Sequence, residues 1–226
     1  ENIRVVVPRL GGGFGAKNIV YGEEILVLWA ARKIGAPVRW ISDRTESFIS
    51  DVHTRDLVSV AEYAFDSDYR ILAMRVRNLG NLGAYLGPRA VNPVRNSIKI
   101  APSVYDVPTG YLEACGVLTN TVPTCPIRGA GEPEGQFTPE RLMDESARQL
   151  GVDRFELRRR NLVRANQLPY RTISHLEYDC GDFAANFERA LELSDREGFE
   201  ARKSASAGDG KLRGFGLCNT IEALGF

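Results

Sequence analysis

Apolar and polar positions along this chain follow two different periods. In GEEILVLWAARKIGAP, Ile25, Leu28, Trp29 and Arg32 recur at helical spacing, and Gly35 and Pro37 close the element. Residues 57–79 alternate instead about the turn DSDY, which predicts an antiparallel hairpin. One face carries Val58, Val60 and Glu62, the other Leu57, Ser59 and Ala61. Apolar runs at 3–7, in PVRWIS and in GYLEACGVLTNT read as further strands, with a last strand at 212–220. From 78 to 108, Gly, Pro and Asn dominate and predict loop with short helical turns.

Caps mark the remaining helices. Thr138 as N-cap, with Pro139 in the first helical position, opens a helix carrying Met143, Ala147 and Leu150 on one face, and Gly151 ends it. Asp153, with Glu156 three residues later, caps the short basic segment RFELRRRN. Another helix starts at Asp182 and stripes Phe183, Phe187, Ala190 and Leu191; SASAGDGK is a flexible linker by composition. There is no internal repeat. Strands and helices mix without strict βαβ alternation, so the expected class is α+β, mixed sheets with packed helices, rather than a doubly wound sheet.

Composition narrows the function classes. The 226 residues suit one large domain or two small ones. With 29 basic and 29 acidic residues the net charge is zero, which gives no charge-driven case for nucleic acid. No apolar run is long enough for a membrane span, and no signal-peptide pattern appears. Cys115, Cys125, Cys180 and Cys218 form no C-x-x-C pair, so they read as mostly buried thiols of a cytoplasmic, reducing setting. His53 and His175 each stand alone, which assigns no metal ligand. Opening on Glu1 inside a strand and stopping at TIEALGF, the chain reads as a piece of something longer.

The stretch VVVPRLGGGFGAKN carries the first candidate chemistry. Gly11, Gly13 and Ala16 satisfy G-x-G-x-x-[GA] between a strand and a helix, and Asp43 is placed to be a ribose-binding acid. This leaves a nicotinamide-dependent dehydrogenase, using the loop from Gly11 to Ala16, as an alternative. Pro8 to Leu10 are too slack a link to the strand for it, Phe14 sets a ring where a pyrophosphate lies, and the hairpin breaks the βαβ repeat.

A second glycine loop, CPIRGAGEPEGQ, shifts the balance. GGGFGAK resembles the pterin-loop motif G-G-G-F-G-x-K of the molybdenum hydroxylases, the xanthine dehydrogenase and aldehyde oxidase group that includes the carbon monoxide dehydrogenase large chain. PIRGAGEPEG is similar to the second cofactor loop, F-R-G-F-G-x-P-Q; DRTESFISDVHTRD resembles D-R-x-E-x-F…H-x-R; and ERLMDESARQLGVDRFELRRRNLV is similar to the helical segment ending in R-R-x-N. The resemblance implies a first molybdenum cofactor-binding domain, in part, over 1–165, then helix, linker and the start of the following segment over 166–226.

It also implies a molybdopterin cofactor with molybdenum, in some members extended as a cytosine dinucleotide. Gly12, Gly13, Phe14 and Gly15 would contact it, with Phe14 closing over the metal site; Arg128, Gly129, Ala130 and Gly131 would offer backbone N–H groups. For Arg128 a surface ion pair is the structural alternative. The implied activity is oxidation of aldehydes or aromatic N-heterocycles with water as oxygen source, electrons passing to [2Fe-2S] clusters and FAD on partner subunits or domains. The family's general base, a glutamate, and its cofactor-contacting segment before the glycine loop are both expected outside this chain, so the chain alone is expected to be cofactor-free and inactive.

Two positions bear on the substrate. Purine-hydroxylating members carry glutamate after the lysine; here Asn18 stands there, as a substrate contact, a helix N-cap or both. Carbon monoxide enzymes carry a copper-binding cysteine after the loop arginine; here it is Gly129, with Cys125 on the wrong side of Arg128. Both departures disfavour those substrates.

Overall fold

The computed structural model describes residues 3–222. Helices α1 (Gly22–Ile34) and α2 (Arg44–Ser50) lead into strands β1 (Leu57–Phe65) and β2 (Ile71–Gly83). Then come α3 (Asn92–Lys99), β3 (Gly110–Leu118), α4 (Glu132–Leu150) and α5 (Arg154–Asn161). A small ribbon of β4 (Tyr170–Arg171) and β5 (Glu177–Tyr178) precedes α6 (Phe183–Leu193) and α7 (Phe199–Gly208). The architecture is α+β, with a mixed sheet and packed helices.

β2 is the middle strand of three, antiparallel to β1 with Leu57 opposite Gly80 and parallel to β3 with Met74 opposite Gly110. Its alternation buries Met74, Val76 and Asn78 and exposes Arg75 and Arg77. On the outer face Arg75 meets Glu62 and Arg77 meets Glu113, exposed pairs that add little stability. On the inner face α3 packs against β2 and β3, and α4 against β1. Met143 and Ala147 of α4 share one core with Met74, Val76, Leu157, Phe187 and Leu191. The segment after residue 165 therefore packs onto that same core through α6.

The R-R-x-N segment has a physical reason. Arg158 is fully buried, yet its guanidinium is saturated: Nε donates to Glu140 Oε2 (2.9 Å), NH1 to Asp144 Oδ1 (2.7 Å) and NH2 to the Glu140 carbonyl (2.9 Å). Tyr105 donates to the other Glu140 oxygen at 2.5 Å. Asn161, also buried, accepts from the Ile71 amide and donates to the Tyr69 and Leu157 carbonyls, each at 2.8 Å. One basic helix thus locks α4 and the hairpin turn together.

Several expectations are corrected. Residues 3–7 and 37–42 form no strand and pair with no described one, because a ladder needs a partner edge that a local apolar pattern does not supply. The loop expected from 78 onward begins later, since β2 runs on to Gly83, and it contains the helix α3. α4 starts at Glu132 and not at Thr138: Gly131 caps it, Pro133 sits in the first turn where its missing N–H costs nothing, and Pro139 lies inside the helix. Residues of SASAGDGK belong to α7, whose Phe199 packs edge-on against Phe215 at 5.2 Å, and 212–220 forms no described strand. Of the cysteines only Cys125 is buried; Cys115, Cys180 and Cys218 are exposed. The stripe of α1 is exposed too, Trp29 at 57%.

Replacing Arg158 by Met keeps much of the volume but strands the buried Glu140 carboxylate. The expected cost is about 3–5 kcal/mol, read as a lower urea midpoint at unchanged slope. A loss below about 1 kcal/mol, the range of a surface pair, would show that the network does not join the helices.

Candidate functional site

The first glycine loop is two tight turns in succession. The Gly13 carbonyl accepts from the Ala16 amide (2.9 Å) and the Gly15 carbonyl from the Asn18 amide (3.0 Å). Phe14 sits at φ 51°, a left-handed conformation that costs a non-glycine residue free energy. The second loop is left-handed over three residues, Gly129 at φ 88°, Ala130 at 47° and Gly131 at 102°. It delivers the chain into the N-terminus of α4, where the first amides have no partner within the helix.

The two loops touch. The Arg128 amide donates to the Phe14 carbonyl at 2.8 Å, and the Arg128 guanidinium lies 5.9 Å from the Phe14 ring centroid. Gly15, at φ 107°, packs so closely that a Cβ there would stand 2.4 Å from the Pro126 carbonyl oxygen. A Cβ on Gly131 would stand 2.0 Å from the Pro93 carbonyl oxygen, so the second loop is pressed onto α3. Among the described residues, the amides of Gly12, Gly13, Phe14 and Gly15, and of Gly129 and Gly131, have no backbone acceptor. Backbone donors left over at a junction of two loops make a cradle for an anionic or oxo-bearing ligand.

Residues 51–55 brace this junction from behind. Asp51 pairs with Lys17 (2.6 Å), holding the lysine's pKa above its ordinary value through that hydrogen bond. The Tyr21 hydroxyl donates to the Ala16 carbonyl (2.7 Å) and accepts from the Val52 amide (3.3 Å); burial raises its pKa. His53 forms a parallel bridge beside Thr124, donating to the Pro123 carbonyl and accepting from the Cys125 amide. Arg55 pairs with Glu134 (2.9 Å) and donates to the Arg128 carbonyl.

The structure therefore brings the loop of Gly12, Gly13, Phe14 and Gly15 against the loop of Arg128, Gly129, Ala130 and Gly131 at one junction. Arg128 makes no ion pair among the described residues, so the surface-pair alternative finds no support. Asn18 is exposed at the end of the first loop; it does not cap α1, whose N-cap is Tyr21. Asp43 is committed to a capping box with Glu46 on α2, and with 3–7 unpaired the dinucleotide geometry is not formed. Cys125 is buried against the Pro88 carbonyl, and burial pushes its thiol pKa up. Sequence reasoning missed Arg55 and Tyr21; the H-x-R spacing was the signal for Arg55 and was spent on His53, while Tyr21 lay in none of the motifs.

A groove of ≈ 720 Å³ opens beside the second loop, lined by Arg128, Gly129, Glu132, Gln136, Cys218 and Ile221 among others. Gln136 holds its far wall, donating to the Ile221 carbonyl (2.6 Å) and accepting from Ser103 (2.8 Å). Burial, and then the nearby Glu222 carboxylate, raise the pKa of Glu132 at its rim.

Residues 1–162 match the molybdopterin cofactor-binding domain. The chain is 35% identical over 232 residues to the 6-hydroxypseudooxynicotine dehydrogenase complex subunit gamma of Paenarthrobacter nicotinovorans, covering 99% of this chain and 29% of that protein. It is 31% identical over 236 residues to the carbon monoxide dehydrogenase large chain of Hydrogenophaga pseudoflava, covering 100% of this chain and 29% of the other. The crystal structure of quinoline 2-oxidoreductase from Pseudomonas putida 86 superposes with a TM-score of 0.79 at 35% identity, over 90% of this chain and 26% of that one. The chain thus spans less than a third of the length of these relatives. No helix among the described residues is long and apolar enough to cross a membrane.

Gly15→Ala and Gly11→Ala separate close approach from mere glycine content. The first places a methyl against Pro126 at an unfavourable φ; the second meets nothing within 4 Å. Hydrogen exchange at the Arg128 amide should speed up at least ~10-fold in the first, from ~1–3 kcal/mol of local strain, and stay unchanged in the second. Equal exchange in both would refute the contact.

Proposed function

The chain belongs to the molybdopterin cofactor-binding domain family, and from that premise we propose that it is the part of a molybdenum hydroxylase large subunit that seats the pterin between its two glycine loops. The observation that carries this reading is the Phe14–Arg128 hydrogen bond, which joins two loops whose amides at Gly12 to Gly15, Gly129 and Gly131 are left without backbone partners. The residues suit the group: close-approaching glycine backbone for a flat ring system, unpaired N–H donors for its oxo and phosphate oxygens, and Phe14 as an apolar wall. When bound, the molybdenum centre supplies two-electron oxidation with oxygen drawn from water. Gly12, Gly13, Phe14 and Gly15 would hold one side of it, and Gly129 and Gly131 would offer backbone donors to the other; the expected Arg128 and Ala130 donors are already given to the Phe14 and Ile127 carbonyls, so those two residues would shape the loop without donating to the group. Residues 1–165 make up the first cofactor-binding domain and 166–226 the segment leading out of it.

The substrate class that fits is an aldehyde or an aromatic N-heterocycle. Asn18 offers an amide that both donates and accepts, suited to a neutral ring nitrogen. The relatives named for 6-hydroxypseudooxynicotine and quinoline are consistent with this choice. Carbon monoxide oxidation is disfavoured although one relative bears that name: Gly129 has no thiolate for copper, and Cys125 is buried with a raised pKa. In this reading the general base lies outside this chain, and among the described residues the carboxylates near the junction are accounted for otherwise. Glu134 is engaged by Arg55, Glu140 by Arg158, and Glu132 sits on the groove rim beside Glu222.

Partners carrying [2Fe-2S] and FAD complete the electron path in this reading, and the cytosine dinucleotide is one form of the pterin that the site would take. The isolated chain is cofactor-free and inactive, because a site assembled from several segments loses most of its contacts when some are missing. The exposed stripe of α1 and the unpaired stretch 3–7 support that view. Plasma mass spectrometry on the purified chain beside its full-length parent tests it. About one molybdenum per parent chain and none in this chain is the expected result. A metal-free parent from a cofactor-competent host would overturn the assignment, and stoichiometric molybdenum in the short chain would overturn the cofactor-free claim.

A further inference from the structure

A trans peptide is planar, so its C=O and the following N–H point in opposite directions; whatever anchors the oxygen aims the hydrogen. The Gly129 and Gly131 N–H groups share peptide planes with the Arg128 and Ala130 carbonyls. Both carbonyls are held by side chains from outside the loop. Arg55 donates to the Arg128 oxygen. Asn96 of α3 donates through Nδ2 to the Ala130 oxygen at 3.0 Å. The two glycine amides of the loop that lack a backbone acceptor are thus the two whose peptide planes are pinned from behind.

Resting on the cofactor assignment above, we propose that Arg55 and Asn96 are positioning residues that aim the Gly129 and Gly131 donors at the bound group. Arg55 is well placed for this task. Its own backbone is left-handed at φ 68°, and flanking bonds hold it there: the His53 bridge to Thr124 on one side, and the Asp56 carbonyl accepting from the Asn81 amide at 3.0 Å on the other. Glu134 takes its second nitrogen at 2.9 Å with a carboxylate only 13% exposed, which fixes the planar fork against the loop. On the other side of Arg128 the peptide is pinned through its amide, by Phe14. Without Arg55, the Arg128–Gly129 peptide would be free to rotate at the most permissive residue type in the loop, and its N–H would leave the site.

The test uses the full-length large subunit in its complex. Arg55→Met removes both donors, Asn96→Asp replaces a donor by an acceptor of the same size, and Arg55→Lys retains one donor. Hydrogen exchange at 128–131 should rise, and molybdenum and pterin per chain should fall, each ~10-fold in the first two variants, the scale of one hydrogen bond. Exchange in β2 should not change, which a general loss of folding would not leave intact. Arg55→Lys should recover most of both losses, and the Mo(V) resonance of the cofactor retained by the variants should be shifted from that of the unaltered protein.

Unchanged exchange at 128–131 overturns the proposal, as does faster exchange with full cofactor content and an unshifted resonance. If Arg55→Met does not fold, Asn96→Asp and Arg55→Lys decide by the same readouts. An unaltered parent without molybdenum would overturn the cofactor assignment instead, while the exchange comparison still decides whether the two side chains fix the loop.

Discussion

The hydrogen bond from the Arg128 amide to the Phe14 carbonyl holds together two parts of the chain that otherwise share little. A loop that must present N–H groups to a ligand cannot use them to stabilise itself, so its rigidity has to come through its carbonyls and its neighbours. That constraint organises the region. Gly13 and Gly15 give their carbonyls to Ala16 and Asn18, Phe14 gives its own to Arg128, and Arg55 and Asn96 hold two carbonyls of the second loop. The donors remain outward on both sides of the junction.

The two loops are nevertheless supported very differently. The second loop is pressed on Pro93, feeds directly into α4, and through Met143 and Ala147 is continuous with the core. The first loop has no core beneath it, and α1 buries none of its residues. It is attached by Lys17–Asp51, by the Tyr21 hydroxyl and by the Arg128 amide. An exposed Lys–Asp pair is worth at most about 1 kcal/mol, so the partly buried Tyr21 hydroxyl and the backbone bond carry more of the attachment. Sites that open before the whole domain unfolds are drawn from such sparsely packed segments.

What the sequence made legible follows from range. The hairpin, α1, the Asp153 and Asp182 caps and the Gly151 stop are local decisions, and they appear as read. The strands expected at 3–7 and 37–42 needed partners that hydropathy does not reveal. Thr138-Pro139 looks like a helix start because proline is common there, yet Gly131 and Pro133 had already started the helix. The composition of SASAGDGK argued for a linker, and packing of Phe199 on Phe215 overrode it. At the site, both glycine loops were visible as motifs. The side chains that steer them were not, since Arg55 acts across 73 residues on the Arg128 carbonyl and across 79 on Glu134.

These differences place the chemistry of the chain in binding and orientation. Two carboxylates of α4 are spent on structure: buried Glu140 accepts from Tyr105 and Arg158, and half-buried Asp144 neutralises the same guanidinium. Removing one partner would leave a buried charge, so none of these groups is available to gain and lose a proton during turnover. The junction, by contrast, is built from peptide dipoles, which do not change charge with pH. Arg55, Glu134 and Asn96 surround it, two of them holding carbonyls of the second loop, and that loop, pressed on Pro93 and running into α4, is the better supported of the two.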